Sequence, residues 1–212
     1  MCWNPDVSIT TFLFSCFTLI FIYVTTTLTK YKHPFFKNKF MYLFVFLVAC
    51  MQLVEFFLWR NLNNRYNEFF SRIGSFVLLC QQVCLMLMIP NPFTRHIMFL
   101  LYGVLLVCYW VYQRLHSPIY FHTSIGKNGH LSWEWINYNG YEQVFLIVGL
   151  LFYIIPALLI SNPTLSLFMF PYLAVSLYYY KDKTFGTMWC WGSNFFLLYF
   201  ILDILVLHPL CF

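Results

Sequence analysis

Long apolar runs alternate along this chain with short polar breaks, and the runs are longer than the buried elements of a water-soluble fold. A helix that crosses a bilayer needs about 20 mostly apolar residues. Seven stretches qualify: 7–28, 40–59, 72–89, 96–112, 143–160, 164–180 and 186–207. The breaks between them, "KYKHPFFKNK", "RNLNNRYNEFFSR", "PNPFTR", "SNP" and "KDK", carry turn chemistry. Pro90, Pro92 and Pro163 stop or start helices because proline lacks the amide donor that continues one. Pro156 falls inside the fifth run and should kink it. With only "SNP" between them, the fifth and sixth runs should form a tight antiparallel pair. The third and sixth runs are the weakest of the seven. The expected fold is an all-α integral membrane protein, a seven-transmembrane-helix bundle forming a single membrane domain over 1–212.

One long connection, 113–142, remains between the fourth and fifth runs. Within it, "IYFHTSIGKNGHLSWEWI" reads as a β-hairpin, because Asn128-Gly129 offers a positive-φ turn and alternating bulky residues flank it. An irregular interfacial loop with Trp133 and Trp135 at headgroup level is the other reading.

Composition agrees with the pattern. Charged residues make up 9% of the chain, against roughly 25% in a soluble domain, and 61% is hydrophobic. The net charge of +5 is spread over the polar breaks rather than gathered in a stripe, which argues against nucleic acid as a partner. The partner the sequence demands is the lipid bilayer, and self-association into a homo-oligomer is compatible with it. The first run follows "MCWNPD", which has no basic lead, so it is expected to stay as a helix. The densest basic loop holds Lys30, Lys32, Lys37 and Lys39. By the positive-inside tendency this places the N-terminus outside the cytoplasm and the C-terminus within it.

Seven crossings sort positions by parity. The N-terminus, the end of run two, the start of run three, the hairpin and the start of run seven share one face, the near side. Cys2, Trp3 and Asn4 meet Trp189, Cys190, Trp191 and Asn194 there. In "MQLVEFFLWR", Gln52 and Glu55 are three residues apart and so share a helix face, with Trp59 a turn further. A carboxylate at this depth costs about 2.5–3.5 kcal/mol on insertion scales, so Glu55 should turn inward. Gln81 and Gln82 lie mid-way along run three, and their amides need partners where water is excluded. Gln52, Glu55, Gln81, Gln82 and Asn194, with Trp3 and Trp191 nearby, thus form a candidate ligand- or ion-binding network. The rival reading makes them interhelical ties with no ligand. Asp203, a second embedded acid, should lie near His208 on the far side, either ending a polar path or reaching the interface.

Cys2 and Cys190 are a candidate disulfide if the near side is oxidising; packing of reduced thiols is the alternative. The remaining cysteines read as small core residues. The histidines lack zinc spacing, so no metal set is expected. Nucleotide-binding, metalloprotease and nucleophile-elbow motifs are missing, and neither a cofactor nor a catalytic group is designated.

"MCWN", "QLVEFF", "CQQ" and "WCW" together resemble an uncharacterised family of multi-pass membrane proteins from bacteria and large DNA viruses that begin Met-Cys-Trp-Ser or Met-Cys-Trp-Asn. The resemblance implies that Cys2, Trp3, Glu55, Gln81 or Gln82, Cys190 and Trp191 belong to one site, and it brings no activity. Three functions stay open: a protein that binds or moves a small solute or ion, a membrane enzyme or redox protein acting on a lipid, quinone or thiol, and a structural or assembly protein of a viral membrane.

Overall fold

The computed structural model describes residues 4–29, 31, 33–116, 120–136, 142–160, 162–180 and 183–207. Seven α-helices follow one another among them: α1 Pro5–Leu28, α2 Lys39–Arg60, α3 Tyr66–Leu87, α4 Pro92–Leu115, α5 Glu142–Leu159, α6 Pro163–Tyr179 and α7 Phe185–Leu202. A 3-10 turn, Pro34–Lys37, precedes α2, and α7 continues as a wider π-type segment over Asp203–Leu207. A hairpin of β1 Thr123–Ile125 and β2 Leu131–Trp133 stands between α4 and α5.

Local chemistry starts these helices. Asn4, Asn91 and Asn162 each stand before a proline at the first helical position. Proline loses nothing there, because that amide has no intrahelical partner, and its fixed φ suits the helix. The asparagine oxygens accept from the orphan amides of the first turn: Val7 at 2.8 Å, Phe93 at 2.9 Å and Leu165 at 3.2 Å. Asn38 does the same for α2, accepting from Phe40 at 2.9 Å.

Five helices, α1, α2, α3, α4 and α7 with its extension, are long and apolar enough to cross a membrane. Large apolar side chains such as Phe17, Leu100 and Leu167 face outward, as expected of helices solvated by lipid. The expected fifth and sixth crossings are where sequence and structure part. The apolar run of α5, Gln143–Leu159, is shorter, and α6 has 17 residues, which at 1.5 Å each span about 25 Å against a hydrocarbon core of about 30 Å. The cause is local: the break before Pro163 ends one helix and starts the next, and Pro156 and Pro171 lie inside them. Run three is longer than its sequence suggested. Its polar start, Tyr66 to Arg72, is helical because Asn67 and Ser71 find partners on the hairpin.

The elements alternate end for end as parity requires. The first loop meets the end of α7 through Tyr31, His33 and Asp203 on the far side. The hairpin meets the starts of α3 and α7 on the near side, where Asn67 binds the Thr123 backbone at 2.8 Å and Thr187 donates to the Leu131 carbonyl at 3.2 Å. The far half of the bundle is an aromatic core around Phe35, Phe36, Phe196 and Phe200. The near half packs Met51, Val54 and Leu58 of α2 against Trp133, Trp135 and Cys190.

The hairpin turn is wider than a two-residue loop. Ile125 pairs with Leu131, Gly126 closes on His130 at 2.7 Å, and Gly129 donates to the Gly126 carbonyl at 2.9 Å. Only Gly129 carries the positive φ, +78°, while Asn128 uses its side chain instead, accepting from His130 and donating to Thr184 at 2.8 Å. This is a turn closed by a left-handed glycine, as longer hairpin loops commonly are.

Two substitutions test these assignments by thermal unfolding in detergent. Asn91→Ala removes two cap hydrogen bonds and should lower stability by about 1 kcal/mol. Gly192→Ala should lower it by about 1–3 kcal/mol, because a Cβ there would lie 1.8 Å from the Tyr172 ring that seals α6 onto α7.

Candidate functional site

The near half of α2 brings Gln52 and Glu55 onto one inward face, and both are 0% exposed. Gln52 accepts from Thr11 of α1 at 3.0 Å. Glu55 lies within electrostatic reach of the Cys190 thiol on α7. The inward placement of Glu55 follows from its spacing with Gln52 and from the penalty on a lipid-facing carboxyl.

Among the described residues, the hydrogen bonds of the other polar residues run between different helices. Gln81 donates to the Leu47 carbonyl of α2 at 3.2 Å and accepts from the Tyr153 hydroxyl of α5 at 3.2 Å. Gln82 donates to the Gly149 carbonyl of α5 at 2.8 Å and accepts from the Tyr102 hydroxyl of α4 at 2.6 Å. Consecutive glutamines on α3 point about 100° apart, so one ties α3 to α2 and α5, the other to α4 and α5. Asn194 accepts from Ser15 of α1 at 3.2 Å and donates to the Trp191 carbonyl at 2.6 Å, and Trp191 stands edge-on to Phe195. In hydrocarbon each amide needs such a partner, because water is not there to supply one.

The two tyrosines were not legible as site residues. Their hydroxyls sit within apolar helical runs, and a lone tyrosine in such a run reads as packing. Only the crossing of α4 and α5 over α3 shows that each faces a glutamine.

A cleft of about 190 Å³ opens between α3, α4, α5 and the start of α7, beneath the hairpin. Gln82, Tyr102, Tyr153, Cys190, Trp133 and Trp135 are among its walls, the rest of which are mainly leucine and phenylalanine. A second cleft of about 100 Å³ lies beyond Tyr153, Trp189 and Cys190, which line both. Trp133 is 1% exposed and stacks on Trp135 with ring centres 5.1 Å apart. It can sit so deep because Gly186 lacks a Cβ; one there would lie 2.5 Å from the Trp133 ring. Lys183 and Glu134 join at 2.7 Å and fasten the hairpin to α7 from outside. Burial alone would raise the Glu134 carboxyl, but Lys183, Ser124 and Ser132 outweigh it and hold it below the usual range.

This docking corrects the placement of Cys190. Sequence parity puts it near the surface with Cys2, whereas the hairpin covers it and leaves it 4% exposed. Cys2 and Trp3 lie outside the described residues, so the candidate disulfide and the tryptophan of the first segment do too. Among the described residues no group of three or more His, Cys, Asp and Glu side chains is placed to hold a metal ion.

Asp203 lies at the opposite end from Glu55. It accepts from the Tyr31 hydroxyl and lies 3.2 Å from His33 Nε2, while His208 is outside the described residues. His33 Nδ1 accepts from the Phe35 amide at 3.1 Å, which leaves the ring proton on Nε2, facing the carboxylate. Burial holds the His33 imidazole below its ordinary 6.5, against the upward pull of Asp203.

The sign of the resulting pH dependence follows by linkage. An unfolded chain takes up a proton on this histidine near pH 6.5, and the folded one does so only at lower pH. Stability from this site is therefore full above pH 6.5 and declines as pH falls below it. In detergent, the unfolding temperature of the wild type should fall from pH 7 to pH 5 more steeply than that of His33→Gln. Equal slopes would remove the histidine from the acid response. Comparison with known proteins finds no matching family model, no matching curated protein and no matching solved structure, so the site has to be read from its own chemistry.

Proposed function

We propose that this chain is a seven-span membrane protein that binds, and in that way moves or senses, a small solute in the cleft roofed by the hairpin. In this reading α5 and α6 also cross, their short length met by local thinning of the bilayer. The hairpin face lies outside the cytoplasm, with the lysine-bearing first loop inside.

The observation that carries the reading is the cleft. It is concave, mostly apolar and bordered by a few placed polar groups, as small-molecule sites are. Cys190 on its wall lies in reach of the buried Glu55, which puts an ionisable group within influence of whatever binds. A hydrated ion is the poorer occupant of this cleft. It would give up its water shell to aromatic and aliphatic walls, and Gln81, Gln82, Tyr102 and Tyr153 are already engaged with one another and with backbone.

Gly149 offers a test, because it lines the cleft and a Cβ there meets nothing within 4 Å. Gly149→Leu should fill the cleft without disturbing the helix. In detergent, a bound solute at about 100 times its dissociation constant adds about 2.7 kcal/mol, or roughly 5–10 °C for a chain of this size. A broad panel of small molecules should yield at least one such shift in the wild type and none in Gly149→Leu. A panel without any shift, or equal shifts in both proteins, would remove the binding reading.

A further inference from the structure

We propose that His33 is a proton-operated latch on the first loop: when its ring takes up a proton, it stays on Asp203 and lets go of the Pro34–Lys37 turn. A neutral imidazole has one nitrogen that donates and one that accepts, and this site uses both. Nδ1 accepts from the Phe35 amide at 3.1 Å and so caps the turn. Nε2 faces the Asp203 carboxylate at 3.2 Å, and Asp203 also accepts from the Tyr31 hydroxyl. Protonation turns both ring nitrogens into donors. The Nδ1 proton then points at the Phe35 N–H, donor against donor. Flipping the ring offers no escape, because neither nitrogen can accept.

Either the ring or the turn must give way, and the surroundings decide which. A full positive charge on the ring strengthens its bond to the carboxylate, while the contact at Phe35 changes from attraction to repulsion. The ring is also enclosed: His33 is 7% exposed, and Phe200 of α7 stands edge-on to it with ring centres 4.7 Å apart. It therefore stays with α7. The turn is a 3-10 helix of four residues, a short element whose hydrogen bonds are poorly aligned. Its Phe35 amide, buried and deprived of an acceptor, is costly to keep in place. The turn moves until water can serve that amide.

Among the described residues, the ionisable groups that face the ring are Asp203, at the end of α7, and Tyr31, from the same loop. The turn itself presents Phe35 and Phe36. Tyr199 of α7 lies within reach of Tyr31, and Tyr42 of α2 packs on Phe36, each one ring further out. Lys37 and Lys39 are exposed. Burial opposes protonation and Asp203 favours it, so the latch is shut at neutral pH and opens under acid. What it releases carries Lys37 and leads into Lys39, so acid on that side of the bilayer loosens a basic segment.

The test is amide hydrogen exchange on the full chain in detergent, followed from pH 7.5 to pH 4.5 and expressed as protection. The Phe93 amide is the internal reference, because Asn91 caps it at 2.9 Å with a side chain that does not titrate. Protection at Phe35 should fall roughly tenfold or more as the pH drops, while protection at Phe93 stays level. His33→Asn keeps an acceptor for the same amide, as Asn38 does for Phe40, and its Phe35 protection should stay level too. Asp203→Asn removes the upward pull on the ring and should move the loss to lower pH. His208→Gln should leave the wild-type profile unchanged. Imidazole ¹⁵N spectra of wild type should show the His33 proton on Nε2 at pH 7.5, and that Nε2–H should persist under acid. Phe35 protection that tracks Phe93 at every pH, or an equal fall in His33→Asn, would overturn the latch. So would a proton on Nδ1 at pH 7.5, an Nε2–H signal lost together with the Phe35 protection, or a response that vanishes in His208→Gln. If Asp203→Asn does not fold, wild type and His33→Asn decide between these outcomes.

Discussion

Trp133 lies against the bare backbone of Gly186, and much of the near half of the bundle follows from that contact. The indole ring occupies the space where any other residue would place a Cβ, so the hairpin lies down on the start of α7 instead of standing off it. Once seated, it is held by Thr187 on the Leu131 carbonyl, by Asn128 on Thr184 and by the Glu134–Lys183 pair. The roof so formed buries Cys190 and closes over the region of α2 that carries Glu55. A membrane bundle without this cover would meet interfacial water at the same level, and the cleft beneath would lose Trp133 and Trp135 from its wall.

Below the roof, hydrocarbon sets the rules. Each buried amide must find its donor and acceptor within the protein, and α3 meets the requirement twice in consecutive residues. Gln81 and Gln82 draw α2, α4 and α5 around α3 through tyrosine hydroxyls and main-chain carbonyls, at distances of 2.6–3.2 Å. Ties of this kind are individually modest, on the order of 0.6–2 kcal/mol, but they fix which helix faces which. The cleft is the space left between helices tied to one another by tyrosine–glutamine contacts.

The far end is organised by different chemistry. Asp203, at the point where α7 widens into a π-type turn, receives Tyr31 and His33 from the first loop. The histidine serves two masters, capping the Pro34–Lys37 turn with one nitrogen and facing the carboxylate with the other. Ionisable side chains thus gather toward the two ends of the bundle. Glu55 and Asp203 lie in separate halves, and no polar path between them is seen among the described residues.

The sequence by itself determined the class of object, the positions of its seven helices, the hairpin between the fourth and fifth, and which ends lie together. These are properties of local composition: apolar runs of fixed length, asparagine–proline starts, a glycine turn, and an alternation that parity imposes on any up-and-down bundle. It also placed Glu55 and Gln52 inward, since their spacing and the penalty on a lipid-facing carboxyl leave no other face. Tertiary structure decided the rest. Sequence spacing cannot say that Gln81 and Gln82 serve different neighbours, that Tyr102 and Tyr153 answer them, or that His33 pairs with a residue 170 positions away. Nor does it say that Cys190 is covered, because that depends on a missing Cβ at Gly186 matched to an indole some fifty residues earlier. Helix content is written in each segment's own side chains, whereas partners and cavities belong to the crossing of segments and exist only once the helices have packed.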